Sequence, residues 1–235
     1  MSKRAIILAG GMGKRLRPYT VVLPKPLMPI GEYPILEVII RQLAYYEFEH
    51  ITIAVNHQAE VIQAFFGNGS KWGIKIDYSL EDKPLSTIGP LKLIKDLPDD
   101  FLIMNGDVLT DLNYNDLFDY HIKSKNIFTI SSYQRRNQID YGVLDVDGSI
   151  LRGFSEKPIS VYNVSMGIYV ASKRILEYVP EGKAYGFDNL MVDLLEAKKN
   201  INVKLYNGYW LDIGRPDDYI QAIDEFDKLK SRFLL

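Results

Sequence analysis

Three glycines and three cations stand close together near the start of the chain: Gly10, Gly11 and Gly13, then Arg15, Arg17 and Lys25. That mixture suits phosphate chemistry. Glycines carry no Cβ, so backbone N–H groups can approach an anion closely, while guanidinium and ammonium groups supply the positive charge it needs. The loop follows Ala5, Ile6, Ile7 and Leu8, a run too short and too uniformly apolar for an amphipathic helix. The pattern predicts a buried strand that ends in a glycine loop.

Two familiar phosphate loops fail on spacing. A dinucleotide fingerprint needs G-x-G-x-x-G, but counted from Gly11 and Gly13 its last position is Leu16. A Walker A loop needs Gly-Lys followed by Ser or Thr, whereas Gly13-Lys14 is followed by Arg15. Further along, Asp107 and Asp212 each follow an apolar run, where an Asp serves equally as a metal ligand or as a turn or cap residue. Glu156-Lys157 reads either as a surface ion pair or as part of a site, and Lys14 and Arg17 read as solvated loop charges.

What the loop does match is G-G-x-G-x-R-L-x-P-x-T followed by P-K-P, met by Gly10, Gly11, Gly13, Arg15, Leu16, Pro18, Thr20, Pro24, Lys25 and Pro26. Asn105-Gly106-Asp107, Tyr141-Gly142, Glu156-Lys157-Pro158, Gly167 to Val170 and Trp210 to Tyr219 then follow in order. The set resembles the sugar-1-phosphate nucleotidylyltransferases, most nearly the mannose-1-phosphate-type guanylyltransferases. The resemblance implies attack of a sugar 1-phosphate on the α-phosphorus of a nucleoside triphosphate, with pyrophosphate leaving. No histidine base is required, and catalysis rests on positioning two polyanions and neutralising their charge.

By the same resemblance, Arg15 holds the β- and γ-phosphates and Lys25 faces the α-phosphate, with Asp107 as the third catalytic residue. Leu8, Gly10, Gly11, Gly13, Glu81 and Gly89 lie along the nucleotide, and Asn105, Gly142, Glu156, Lys157 and Ser165 along the sugar phosphate. Asp107 and Asp212 share one Mg²⁺, an ion that takes few carboxylates and leaves positions for water and phosphate.

Two segments depart from the family pattern. Where relatives carry E-x-x-P-L-G-T-x-G along the base, Glu81 to Gly89 reads EDKPLSTIG, so Ser86 stands in place of a glycine. Glu81 could accept from the N1 and N2 donors of guanine, which favours GTP and leaves CTP, UTP and dTTP open. Ser165 stands where many relatives have a sugar-contacting Asn, which points to a different sugar or to a bridging water. Two rivals belong to other classes. A silent, nucleotide-sugar-sensing subunit needs no Mg²⁺ pair, and a nucleotide-dependent oxidoreductase would want the missing G-x-G-x-x-G.

The elements that must hold these residues follow an α/β rhythm. Ile35 to Leu43 has helical spacing behind Pro34, Ile51 to Val55 is strand-like, Ala59 to Phe66 is a short helix stopped by Gly67, and Ile74 to Tyr78 alternates as a strand. A short helix around Leu91, Leu93 and Ile94 precedes a strand ending at Asp107. In an open parallel sheet ligands sit beyond the strands' carboxyl ends, which puts Asp107 near Gly10 to Gly13. Beyond it the pattern becomes antiparallel: Ile127 to Tyr133, Gly142 to Val146 and Ile150 to Ser155 with an Asp147-Gly148 turn, and Val164 to Val170. A helix at Asn189 to Lys198, a final strand pair (Val203 to Tyr206 with Tyr209 to Ile213) and a helix from Pro216 burying Ile220, Ile223, Phe226 and Leu229 complete the set. The expectation is a Rossmann-like, mostly parallel sheet flanked by helices with a smaller antiparallel sugar-binding portion. It forms one domain, nucleotide-binding over about 1–110 and sugar-binding over about 111–235.

Composition sets the bounds. With 235 residues and a formal charge of −2, the chain can bury one large core and has no bulk attraction for nucleic acid. No apolar run approaches a membrane span, and the N-terminus has no leader pattern, so a cytoplasmic enzyme is expected. The absence of cysteine excludes thiolate chemistry, and His50, His57 and His121 are too few for a histidine-rich metal cluster. The chain stops about where a catalytic domain should, without a C-terminal β-helix, so nucleotidyl transfer alone is expected, serving cell-surface glycan assembly. Its partners would be a nucleoside triphosphate and a sugar 1-phosphate, with a homodimer left open.

Overall fold

A computed structural model describes residues 3–56 and 58–235; His57 lies outside the described residues. In chain order it shows β1 (Lys3–Leu8), the two-residue strands β2 (Pro29–Ile30) and β3 (Tyr33–Pro34), α1 (Ile35–Tyr45), β4 (Phe48–Val55), α2 (Ala59–Phe66) and β5 (Lys75–Leu80). Then come β6 (Asp100–Asn105), β7 (Val108–Thr110), α3 (Tyr114–Ser124), β8 (Phe128–Gln138), β9 (Gly142–Asp147), β10 (Ile150–Glu156) and β11 (Ile159–Ser172). The chain closes with α4 (Phe187–Glu196), β12 (Ile201–Tyr206), β13 (Trp210–Asp212) and α5 (Pro216–Phe233).

A seven-stranded sheet in the order β12-β8-β11-β6-β1-β4-β5 organises the molecule. β1 pairs parallel with β4 and β6, and β4 with β5. β11 runs antiparallel between β6 and β8, and β12 returns parallel to β8. The fold is therefore α/β and mostly parallel, with antiparallel additions in its second half. Alternation along β1 explains its uniform apolar run: Ala5 and Ile7 face a core with α1, α3 and α5, while Ile6 faces a second core with α4. Both faces are covered over Ala5 to Ile7, so a polar side chain there would need buried partners of the kind Arg4, at the start of the strand, finds in Thr52 and Asp96.

Several expected elements differ in partner or phase. The segments at Val203 to Tyr206 and Tyr209 to Ile213 do not pair with each other; β12 joins the main sheet, while β13 pairs antiparallel with β7. The helix expected around Leu91 is one 3-10 turn, Gly89–Leu93, and Pro34 is the cap of α1 rather than its first turn. α5 buries Tyr219, Ala222, Phe226 and Phe233, leaving Ile220 and Ile223 largely exposed. The Tyr219 hydroxyl donates to the Pro29 carbonyl at 2.7 Å, and Phe226 packs at Gly31, which fixes the helix one position away from the expected face. α3 is not among the expected elements; it starts at Asn113, whose side chain accepts from the Asn115 and Asp116 N–H groups, and buries Tyr114, Leu117, Phe118 and His121. Two histidines act structurally. His50 is 2.6 Å from Asp77, and His121 bonds Thr129 and Asp100.

Candidate active site

The parallel strands deliver their carboxyl ends to one side. Leu8 ends β1, Asn56 follows β4, Glu81 follows β5 and Asn105 ends β6, and all four line a cleft of about 460 Å³. Gly10, Gly11, Gly13, Lys14, Ser86 and Asp107 complete much of its wall. The crevice beyond the strand ends, where open α/β sheets take ligands, is thus walled by the three glycines singled out for phosphate chemistry, whereas Arg15, Arg17 and Lys25 are not among its lining residues.

The glycines are there for space. A Cβ on Gly10 would stand 2.8 Å from a Glu81 carboxylate oxygen, so any side chain there would push Glu81 out of place. Gly13 has φ +58°, and a Cβ on it would meet Thr20 at 2.9 Å; the Thr20 hydroxyl in turn donates to the Gly13 carbonyl at 2.7 Å. The Gly-to-Thr spacing of the motif is this loop folding back on itself. Around Gly11 nothing lies within 4 Å of where a Cβ would stand, leaving room for a ligand to reach the backbone.

The cations arrive from the next two turns. The 3-10 turn Lys25–Leu27 follows Pro24, and its Pro26 and Leu27 are buried anchors that leave only Lys25 to project. Lys25 is ion-paired with Asp107 Oδ2, with the two side chains only 12% and 20% exposed. Arg15 sits at the far side: its guanidinium and an Asp212 oxygen both lie 3.3 Å from where a Cβ on Gly214 would stand.

The two carboxylates are brought together by β7 and β13, which set Asp212 opposite Val108, the residue after Asp107. The Ile213 N–H donates to the Asp107 carbonyl at 3.1 Å. Burial, and then the negative charge of Asp107, hold Asp212 above the usual carboxylate range, while Lys25 and Arg15 pull it down. Among the described residues, Asp107 Oδ1 is buried with no hydrogen-bond partner. A buried carboxylate pair with one oxygen unused fits a divalent cation.

On the other wall, Glu81 is 7% exposed and burial raises its pKa, against a lowering by the Leu85 N–H, which donates to Oε2 at 3.0 Å. Oε1 is the oxygen that faces Gly10. Ser86 has φ +67°, so the serine occupies a backbone conformation suited to glycine.

The remaining sequence-derived positions are placed differently. Gly89 packs on the Lys183 carbonyl, behind the residues lining the cleft. Asn105 lies under Gly167, where a Cβ would stand 2.5 Å from its amide nitrogen. The Ser165 hydroxyl is 2.9 Å from that of Tyr169. Gly142 and Glu156 are cross-strand partners on the β9–β10 ribbon, with Lys157 just beyond at φ +44°, and none of the three lines the cleft. Lys14, expected as a solvated charge, does line it. Asn56 was not expected there, although it follows ITIAV as Asp107 follows its own strand. A second cavity of about 190 Å³, lined by Tyr133, Arg135, Trp210, Asp212, Asp218 and Gln221, opens against Asp212. Sequence spacing gave no sign of Arg135, because its neighbours there come from strands and a helix far along the chain.

Residues 4–228 match the family model described as nucleotidyl transferase. The D-glycero-alpha-D-manno-heptose 1-phosphate guanylyltransferase of Aneurinibacillus thermoaerophilus is 35% identical, with 94% of this chain and 97% of that protein covered. The UTP--glucose-1-phosphate uridylyltransferase of Synechocystis sp. is 32% identical over 94% of this chain, which spans 62% of that protein's length. The mannose-1-phosphate guanyltransferase of Yarrowia lipolytica, 31% identical over 93% of this chain, is likewise spanned over 62% of its length. The crystal structure of HddC from Yersinia pseudotuberculosis superposes with a TM-score of 0.75 at 26% identity, covering 95% of this chain and 99% of that one.

Proposed function

Because the chain belongs to the nucleotidyl transferase family, we propose that it transfers a nucleotidyl group from a nucleoside triphosphate to a sugar 1-phosphate, releasing pyrophosphate. One observation carries this: Asp107, in the wall of the glycine-lined cleft beyond the ends of the parallel strands, is ion-paired with Lys25, and Asp212 and Arg15 stand beside that pair. The reaction needs that arrangement. A phosphate oxygen of the sugar 1-phosphate forms a bond to the α-phosphorus as the bond to the pyrophosphate oxygen breaks, and the charge on the α-phosphate oxygens must be balanced throughout.

The glycine backbone from Gly10 to Gly13 receives the nucleotide, with Leu8 and Glu81 beside the base and Gly89 supporting that wall from behind. Arg15 holds the β- and γ-phosphates. Lys25 balances charge at the α-phosphate. Asp107 and Asp212 would hold Mg²⁺, which supplies charge neutralisation and a template for phosphate oxygens. The sugar phosphate approaches from the Asp212 side, within reach of Asn105 and Ser165, with Gly142, Glu156 and Lys157 supplied by the ribbon. The nucleotide-binding half is about 1–110 and the sugar-binding half about 111–235, working as a single domain.

GTP is the preferred nucleotide. With Oε2 of Glu81 held by Leu85, Oε1 is left to accept from guanine N1 or N2. The guanylyltransferase names among the relatives, and the HddC structure described as complexed with GMP-PN, support this choice. The product is a nucleotide-activated sugar made in the cytoplasm for cell-surface glycan assembly.

Asp107→Asn tests the assignment. It is expected to abolish nucleotide-sugar formation at saturating Mg²⁺, since one of two carboxylates is lost; unchanged formation would show that Asp107 holds no metal.

A further inference from the structure

Asn56 follows β4 and Glu81 follows β5. The two strands run parallel with Val55 opposite Leu80, so one step further Asn56 and Glu81 lie side by side at the rim of the sheet. Hydrogen bonds lock them together: the Glu81 N–H donates to the Val55 carbonyl at 2.9 Å, and Asn56 Nδ2 donates to the Glu81 carbonyl at 3.0 Å. Both side chains stand against the bare Gly10 backbone, since a Cβ there would lie 2.8 Å from Glu81 Oε1 and 3.4 Å from the Asn56 Cβ. Both line the cleft, as do Leu8, Pro84 and Pro90, which offer apolar surface to the flat faces of a base.

The contact with Glu81 sets the Asn56 amide. A carbonyl only accepts, so the nitrogen is the end that turns to it, and Oδ1 is the end left over. Among the described residues Oδ1 has no hydrogen-bond partner, and it is not a buried unpaired atom. On a side chain that lines the cleft, it is an acceptor open to a ligand. Glu81 is arranged alike, with Oε2 held by the Leu85 N–H and Oε1 left facing Gly10. The rim thus presents two acceptors side by side.

We propose that Asn56 is the residue that selects the nucleobase: its Oδ1 accepts from the exocyclic N2 amino group of guanine while Glu81 Oε1 accepts from N1–H. Guanine is the common base that carries two neighbouring donors on this edge. Uracil and thymine set one N–H between two carbonyls, and cytosine and adenine set an amino group beside an unprotonated ring nitrogen. Each of these would turn a lone pair towards one of the two oxygens, which rejects the base as much as the missing bond does. The inference rests on the nucleotidyl transfer reading for its ligand and adds to it the second contact that reads the base.

Binding measured without turnover tests it. In calorimetric titrations of the full chain with Mg²⁺ and no sugar phosphate, inosine triphosphate is the probe, because it keeps N1–H and lacks the N2 amino group. GTP is expected to bind about tenfold more tightly than inosine triphosphate, the worth of one hydrogen bond. Asn56→Ala should lower GTP affinity by about that tenfold and bring the two ligands within about threefold of each other. N1–H is common to both ligands, so a Glu81 merely shifted by losing its contact with Asn56 would weaken both alike. Equal losses for both, or equal affinities in the unaltered chain, would overturn this inference and leave the transfer reading standing. Asn56→Ser, whose hydroxyl is too short to reach the base, is read in the same way if Asn56→Ala does not fold. Binding of no nucleoside triphosphate at all would overturn the transfer reading and the inference with it.

Discussion

Replacing Lys25 with Ala removes the ammonium that is ion-paired with Asp107. The pair lies largely out of water, at 12% and 20% side-chain exposure, and Asp107 Oδ1 already lacks a partner. Without Lys25 the carboxylate keeps no close cation, and it faces Asp212, which its charge already pushes up. Two effects follow. At the α-phosphate, a preorganised charge lost from a site of low polarity costs about 2.7–4 kcal/mol of transition-state stabilisation, a fall of about 10²–10³ in kcat. In the proposed site, ground-state binding of the triphosphate is shared with Arg15 and the glycine backbone, so its KM should change by only about threefold. A cation held by Asp107 would displace Lys25 from that carboxylate, so Mn²⁺ should bind the variant more tightly in a calorimetric titration. Steady-state pyrophosphate release with both substrates varied gives kcat and KM separately. Equal losses in both would mean that Lys25 only binds nucleotide, and weaker Mn²⁺ binding would refute the competition for Asp107.

The remaining predictions concern stability. His121 is 1% exposed, and burial holds its pKa below 6.5 against the pull of Asp100, so the unfolded chain takes up a proton that the native chain refuses. Its contribution is complete above about pH 6.5 and is lost as pH falls; urea unfolding between pH 7 and 5 should show a decline that His121→Gln flattens, and a parallel decline in the variant would exclude His121 as its source. Gly13→Ala, at φ +58° and 2.9 Å from Thr20, should lower stability by about 1–2 kcal/mol, and an unchanged urea midpoint would show that the loop shifts freely. Asn113→Ala should lose about 1 kcal/mol through the two N–H groups it caps, with a smaller loss for Asn113→Ser; equal losses would assign the effect to packing instead.

Legibility in the sequence followed how local each feature was. The strand before the glycine loop and the Asp147-Gly148 hairpin are written in adjacent residues, and the structure shows them where expected. Parallel order for β1, β4 and β5 followed from strands alternating with helices. α3 is written in the sequence as well: Tyr114, Leu117, Phe118 and His121 fall at i, i+3, i+4 and i+7 behind the Asn113 cap, a stripe blurred only by its polar last member. The partners of β12 and β13 escaped for a different reason: pairing with β8 and β7 is set by tertiary contacts about 70 and about 100 residues away in the chain. In α5 two apolar stripes competed, and Tyr219 bonding to Pro29 decided between them. Asn56 was recoverable from the rule that strand ends line the crevice, had it been applied to β4 as well as to β6. Ribbon strands alternate like covered ones, so the exposure of Leu144 and Phe154 is visible only once the sheet is assembled.

The central claim is the transfer of a nucleotidyl group onto a sugar 1-phosphate at the cleft between Gly10, Lys25 and Asp212. Pyrophosphate release, measured across GTP, UTP, CTP and dTTP with a panel of sugar 1-phosphates, tests it most directly. The expected result is release that requires both substrates and a divalent cation and is greatest with GTP. No release from any pair would contradict the enzyme assignment, and release that does not require the sugar phosphate would contradict the transfer.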